Sequence, residues 1–282
     1  VIDVRSGVNR DGTITAWDFH NYNSGPAGIE PHYSIANSRA QFHPVRSPLR
    51  QGSYRALAAT ANNFARESHI DELANAVGMD PLAFRLKNIA KPGTPTVFGT
   101  KLQHAGFAET LQALQKHPGY NQPLGKNQGR GVAVGYWFNA GGESSATVHV
   151  NEDGTVVVAT GSPDIGGSRA SMALMAAETL GIDYDRVRPI VADTNSVGYT
   201  QATGGSRVTY ATGTVVVEAA RNAIKVCCER AAAAWGVTPE QVKWEEGHAK
   251  PASANVGDFA PMSLAELAKK APMMGGPIAG HA

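Results

Sequence analysis

Residues 156–181 read VVVATGSPDIGGSRASMALMAAETLG. A β-branched run, Val156 to Val158, enters a turn of Gly161, Ser162, Pro163 and Asp164, passes Gly166 and Gly167, and opens into a helical pattern whose expected N-cap is Ser168. A strand that feeds a glycine-rich loop and a helix start presents unpaired backbone N–H groups at the positive end of a helix dipole, which suits an anion such as phosphate. About forty residues on, Thr203-Gly204-Gly205-Ser206 leads into a second helical pattern, Val208 to Trp235. Two such loops suit a ligand with two phosphates better than one. Neither is a common nucleotide fingerprint: no lysine follows Gly166-Gly167, and GSPDIGG lacks the G-x-G-x-x-G spacing. On loop shape alone, a structural turn before a helix stays open as the other reading.

Outward from this stretch, the pattern alternates strands and helices. SATVHVN and TVVVAT flank an Asp153-Gly154 turn and predict a hairpin, RGVAVGYWF before them predicts another strand, and 187–192 a further one. Residues 1–22 predict a hairpin around Asp11-Gly12, and 23–54 read as loops and short strands. Leu57 to Val77 is helical, with Phe64, Ile70, Leu73 and Val77 as its apolar positions and Gly78 as its stop. Asp80 caps a short helix that starts at Pro81, and Phe107 to Gln115 forms another before Pro118. The tail from Lys250 reads as loop except SLAELAKK, which Ser263 caps, and MMGGPIAGHA shows no terminal element. The fold class is therefore α+β, in mixed layers, with a boundary in the polar stretch 121–128 dividing portions 1–120 and 121–282.

Composition narrows the function. Lysine plus arginine is 25 against 24 acidic groups, so the charge points to neither nucleic acid nor membranes. No apolar run approaches the roughly 20 residues of a membrane span. The two cysteines, Cys227 and Cys228, are adjacent on a helix and point about 100° apart, which disfavours a disulfide or a shared metal site. They cannot alone ligate an iron–sulfur cluster, and their scarcity fits a reducing, cytoplasmic setting. His69, a lone histidine in the first helix, reads as a surface or core residue.

Three ordered segments carry a family resemblance. PLRQGSYRALAATANNFARESHIDELANAVGMDPLAFRLKN, residues 48–88, resembles the arginine- and glycine-rich turn followed by E-x-x-I/M-D-E-L-A and G-M-D-P-L-x-x-R-x-K-N of the molybdenum hydroxylases, the xanthine dehydrogenase and aldehyde oxidase family. Residues 155–182 look like its G-x-x-(D/E)-(M/I)-G-Q-G … A-E-x-L-G loop, and VADTNSVGYTQATGGSRVTYATGTVVVEAA, residues 191–220, is similar to its T-G-G-S-R segment. The resemblance covers about residues 1–235, is nearest in flavour to isoquinoline oxidoreductase-like bacterial members, and implies part of a molybdopterin-binding large subunit.

The resemblance implies a molybdopterin cytosine dinucleotide whose molybdenum is held by the pterin and not by protein side chains. It places Gly166, Gly167 and Ser168 at the first cofactor loop and Thr203, Gly204, Gly205 and Ser206 at the second. It places Arg55 beside the metal to orient or polarise substrate, a task that suits an always-charged, five-donor guanidinium. Tyr136, Trp137 and Phe138 fall where relatives line a substrate pocket, although three successive aromatics on a strand cannot all face one side. It implies as partners a small-molecule substrate, an aldehyde or N-heterocycle hydroxylated with oxygen from water, the rest of the molybdenum subunit, and an iron–sulfur subunit. The location implied is cytoplasmic, or periplasmic or membrane-associated if a missing N-terminus carries a signal.

Departures shape these expectations. The family's loop glutamine is Gly167 here, and the turn after Arg55 reads ALAAT where relatives carry Gly-Phe-Gly, with alanine resisting positive φ. The start at Val1, the absent first molybdenum loop and the absent glutamate segment that supplies the general base lead to the expectation of a central fragment, inactive alone. Glu67, Glu72, Glu143 and Glu178 do not sit in that base motif. The reading from another class is a non-catalytic domain of the same fold that binds anions or partner subunits without molybdenum.

Overall fold

The computed structural model describes residues 1–23, 25–48, 52, 54–137, 139–191, 195 and 197–282. They form two compact units, Val1–Trp137 and Phe138–Ala282, so the division falls beyond the 121–128 stretch. Helices and mixed sheets occur in both, in keeping with the α+β expectation.

In the first unit β1 (Ile2–Val8) and β2 (Ile14–Tyr22) form the expected antiparallel hairpin, and β3 (Asn37–His43) adds parallel to β2. The β1–β2 register shifts between Gly7 and Val8, so Ile14 is buried out of phase with Trp17 and Phe19. A bulge of this kind resets the two-residue alternation. Asp18 and Arg39 face each other in the β2–β3 register and pair at 2.7 Å, a contact that with neighbouring His20 lowers the carboxyl to about 2.

Helix α1 (Ala59–Ala76) departs from its expected apolar stripe. Ile70 and Leu73 are buried, but Phe64 is 76% exposed. The buried face instead carries Asn62, Arg66 and Glu67. Glu67 receives Arg85 Nε at 3.0 Å and the Tyr33 hydroxyl at 2.9–3.0 Å, with Arg66 Nε 3.4 Å away. Arg85 also donates to Asp71 at 2.6 Å. A polar stripe can face a core when partners meet its groups, and here Asn62 and Arg66 donate to backbone carbonyls of Gly25, Ala27, Gly28 and Glu30 while Arg85 and Tyr33 hold Glu67. His69 bonds Ser6 and Glu72, an ordinary structural role. Asp80 caps α2 (Pro81–Asn88) through the Ala83 amide at 2.8 Å, and the buried Asn88 amide ties α2 to the hairpin through Gly12 O and Ile14 N. Helices α3 (Phe107–Lys116) and α4 (Pro118–Asn121) follow.

The RGVAVGYWF stretch is not in a sheet among the described residues. Val132 and Val134 are buried in alternation, but the Val134 amide donates to Glu67 Oε2 at 2.8 Å. A carboxylate takes the position that a neighbouring strand would hold.

In the second unit β4 (Ala146–Val150) and β5 (Val156–Thr160) form the expected hairpin, helix α5 (Ser168–Leu180) crosses over, and β6 (Val187–Val191) runs parallel to β5. A π-turn over Val208–Thr212 starts the long helix, which continues as α6 (Gly213–Trp235). β7 (Val242–Glu245), β8 (His248–Pro251) and β9 (Met262–Ser263) make a small antiparallel sheet that reaches into the tail from Lys250, which was expected to be loop there. Its turn, Glu246-Gly247, holds both residues at positive φ, 50° and 74°. Ser263 and Glu266 form the expected capping box on α7 (Leu264–Lys269). The C-terminal residues are also a strand: β10 (Ile278–His281) pairs antiparallel with β4, giving the sheet order β10-β4-β5-β6. Its signal was hidden because Gly280, a poor strand former, sits there to let α6 approach. A Cβ at Gly280 would stand 2.0 Å from the Ala219 carbonyl oxygen. Cys227 is buried in this core, and burial pushes its thiol up to about 12, so it acts as a small apolar residue. No described helix is long and apolar enough to cross a membrane.

Two predictions test this packing. Gly280→Ala places its methyl against α6 backbone that cannot move aside, and urea denaturation should show a loss of about 3 kcal/mol. His32, 7% exposed and stacked on Phe107, has its pKa lowered to about 3 by burial and by Arg66. The unfolded chain then binds a proton between about pH 6.5 and 3 that the folded chain refuses, so stability falls as pH falls through that window. His32→Phe should flatten this part of the stability–pH curve, and an unchanged slope would assign it to other groups.

Candidate functional site

The first glycine loop is shaped from below. Gly161 lies against Thr200, where a Cβ would come within 2.5 Å of its hydroxyl oxygen, and Ser162 is buried. Residues 163–167 then rise into solvent. Gly166 and Gly167 have φ of 68° and 86°, with no described atom within 4 Å of where a Cβ would project. Gly167, not Ser168, is the residue that caps α5. The left-handed conformation that ends the loop needs a glycine, so the serine is displaced to the first helical position, where its hydroxyl donates to Pro163 O at 3.3 Å. One amide expected to be free is occupied: Arg169 N donates to Asp164 Oδ1 at 3.1 Å. An anion at this helix end meets a carboxylate as well as N–H groups.

The second loop contains two kinds of glycine. Gly204 faces open space, with Thr203 and Ser206 exposed beside it. Gly205 is pressed on its own protein: its carbonyl accepts from Ala140 N at 3.0 Å, and a Cβ would stand 2.5 Å from the Ala140 Cβ. Its smallness therefore serves internal packing first. Ser206 follows at φ 61°.

Arg207 and Thr212, which sequence reasoning did not single out, bring the loops together. Arg207 is 2% exposed, and its guanidinium donates to the carbonyls of Gly141, Gly142, Glu143 and Gln201 at 2.6–3.0 Å and to Ser144 Oγ at 2.7 Å. The Thr212 hydroxyl lies 2.8 Å from Ser162 Oγ in the first loop and 3.2 Å from Ser144 Oγ. Arg207 stood inside the T-G-G-S-R motif, but burial of an arginine leaves no mark in a sequence. The starts of α5 and of the long helix meet at one narrow cleft, lined by Ser162, Ser168, Arg169, Ile190 and Val208.

In the first unit, Arg55 is exposed in the turn that leads to α1. Ala56 and Leu57 sit at φ 62° and 50°, so the turn adopts the left-handed conformation that its alanine was expected to resist. Strain of about 1–2 kcal/mol per residue is stored beside Arg55. Tyr136 is 50% exposed, packs edge-on against His32 and Phe107, and lines a cavity of about 370 Å³ with His104, Thr110, Leu111 and Leu114. Trp137 is half-buried and does not line that cavity, and Phe138 lies outside the described residues.

Comparison with known proteins bears on this geometry. Residues 102–282 match the family model of the molybdopterin cofactor-binding domain, and residues 1–89 match a second model of the same description. The xanthine dehydrogenase molybdenum-binding subunit of Escherichia coli O157:H7 is 30% identical over 240 residues, covering 74% of this chain and 32% of that protein. The aldehyde oxidoreductase molybdenum-binding subunit PaoC of Escherichia coli K12 is 30% identical over 263 residues, covering 86% and 35%. The fold is that of quinoline 2-oxidoreductase from Pseudomonas putida 86, with a TM-score of 0.77 at 20% identity over 98% of this chain and 41% of that one. The chain thus spans about a third of the length of these curated relatives. The matched models, the order of the motifs and the fold agree: the chain belongs to the family of molybdopterin cofactor-binding domains found in molybdenum-binding subunits of the xanthine dehydrogenase and aldehyde oxidoreductase type.

Proposed function

We propose that this chain is the cofactor-holding part of a molybdenum-dependent oxidoreductase subunit that hydroxylates an aldehyde or N-heterocycle with oxygen from water. The observation that carries the reading is the joined pair of loops, in which Gly166, Gly167 and Gly204 leave space where a side chain would project. That space is a cradle for a phosphate-bearing group, and exposed Thr203 and Ser206 add hydroxyl donors at its edge. Molybdopterin cytosine dinucleotide fits these donors, with Gly166, Gly167 and Ser168 on one side and Thr203, Gly204 and Ser206 on the other. Gly205 acts from behind, through Ala140. When bound, the cofactor supplies the two-electron oxidation of the substrate.

Asp164 already occupies one amide of α5, so the second loop is the stronger anion partner. Arg55 orients the substrate and stabilises negative charge that develops on its oxygen or ring nitrogen. Tyr136, Trp137 and Phe138 contact the substrate, with Tyr136 half-exposed beside His32 and Phe107. Glu67 is committed to Arg85, Tyr33 and Val134 and does not act as the general base, which lies outside this chain. The rest of the subunit and an iron–sulfur subunit complete the enzyme.

The internal satisfaction of Asp164 and Gly205 favours a second reading, a non-catalytic domain of the same fold. Stoichiometric molybdenum, with CMP released on acid hydrolysis of the complete subunit, supports the enzyme. Absence of both supports the domain.

Two substitutions in the complete subunit probe the assignment. A Cβ at Gly204 meets no described atom within 4 Å, so in Gly204→Val the melting temperature should hold while molybdenum and CMP content drop about tenfold, the equivalent of ~1.4 kcal/mol. Full occupancy would make the loop a structural turn only. Arg55→Met should keep fold and molybdenum but lose turnover on the order of 10²–10³, with Arg55→Lys recovering part. Normal turnover, or failure to fold, would remove Arg55 from substrate handling.

A further inference from the structure

Residues 131–136, GVAVGY, have the composition and burial alternation of a strand without a neighbour. Val132 and Val134 enter the core of the first unit, while Ala133 and Gly135 are exposed. Over this stretch the backbone of the described residues makes one hydrogen bond, from Val134 N to Glu67 Oε2. A β-rich segment with its N–H and C=O groups free is a template for another strand. Successive residues of a strand direct these groups to opposite edges. The Val134 edge is held by Glu67 on α1, so Ala133 and Gly135 present theirs at the other edge. The cavity of about 370 Å³ borders Ala133–Tyr136, floored by Phe107, Leu111 and Leu114 of α3. An added strand there would hydrogen-bond Ala133 and Gly135 and set alternate apolar side chains on α3.

We propose that residues 131–136 accept a β-strand from the same polypeptide, drawn from outside residues 1–282 of the complete subunit. This rests on the reading that the chain is part of a subunit of its relatives' length, since it spans 32% of one and 35% of another. Most of such a subunit lies elsewhere and is tethered to this edge at high effective concentration. An open edge with an apolar floor is also an aggregation hazard, which favours permanent, intramolecular cover over a transient partner. Glu67 fixes the acceptor segment at the Val134 amide.

Hydrogen–deuterium exchange on the complete subunit, purified without its iron–sulfur partner, tests this. The amides of Ala133 and Gly135 should exchange at least about 100-fold slower than in unstructured chain, at every protein concentration. Rapid exchange overturns the proposal. Protection that appears only with added iron–sulfur subunit, or only at high concentration as a second copy would give, also overturns it. Ala133→Cys with a short bifunctional cross-linker should capture a peptide from outside residues 1–282 of the same chain, and capture of any other peptide counts against it. Molybdenum content of the same preparation reports separately on the cofactor reading, because strand protection does not require bound cofactor.

Discussion

A buried guanidinium with no carboxylate on it among the described residues organises the second unit. Arg207 gives its N–H groups to four backbone carbonyls and one hydroxyl, all from segments 141–144 and 201. A charge taken out of water is costly unless its donors are satisfied, and loop carbonyls are costly to bury unless they have donors. Each therefore requires the other. The loop carbonyls converge because the arginine is there, and the second glycine loop is held against Ala140 as a result. Thr212 extends the constraint to the first loop through Ser162.

The first unit solves the same problem with opposite charge. Glu67 on α1 collects Arg85, Arg66, Tyr33 and the Val134 amide, so a helix with a polar inward stripe docks on a hydrophobic sheet. Removing one partner of such a group leaves a buried charge, at a cost of about 3–5 kcal/mol. In both units a loop or extended segment that would otherwise be free is fixed by a side chain from a helix or from the residue that caps one. This rigidity lets exposed glycines such as Gly166 and Gly204 stay in place without side-chain packing of their own.

The glycines also separate packing from binding. Gly161, Gly205 and Gly280 are small because protein atoms crowd them, whereas Gly166, Gly167 and Gly204 face space. Only the second set leaves room beside the backbone for a group that is not protein. The strained turn at Ala56 and Leu57 beside Arg55 is a further place where the chain accepts local cost near a candidate functional group.

Local chemistry determined much by itself. Asp-Gly turns with alternating flanks specified both N-terminal-type hairpins, β1–β2 and β4–β5, and Asp80 and Ser263 specified helix starts, because these signals act within a few residues. The ordered motifs were enough to place the family. Tertiary structure decided the rest. Phe64 turned outward because Arg66 and Glu67 found partners far away in sequence, and β10 joined its sheet because α6 could close over Gly280. Whether the 131–136 segment is a strand depends on a neighbour, and which glycine serves a ligand depends on what stands opposite it. Arg207 shows the limit most plainly: its residue type was visible at once, but its burial and its five acceptors exist only after residues 141–144 fold against it.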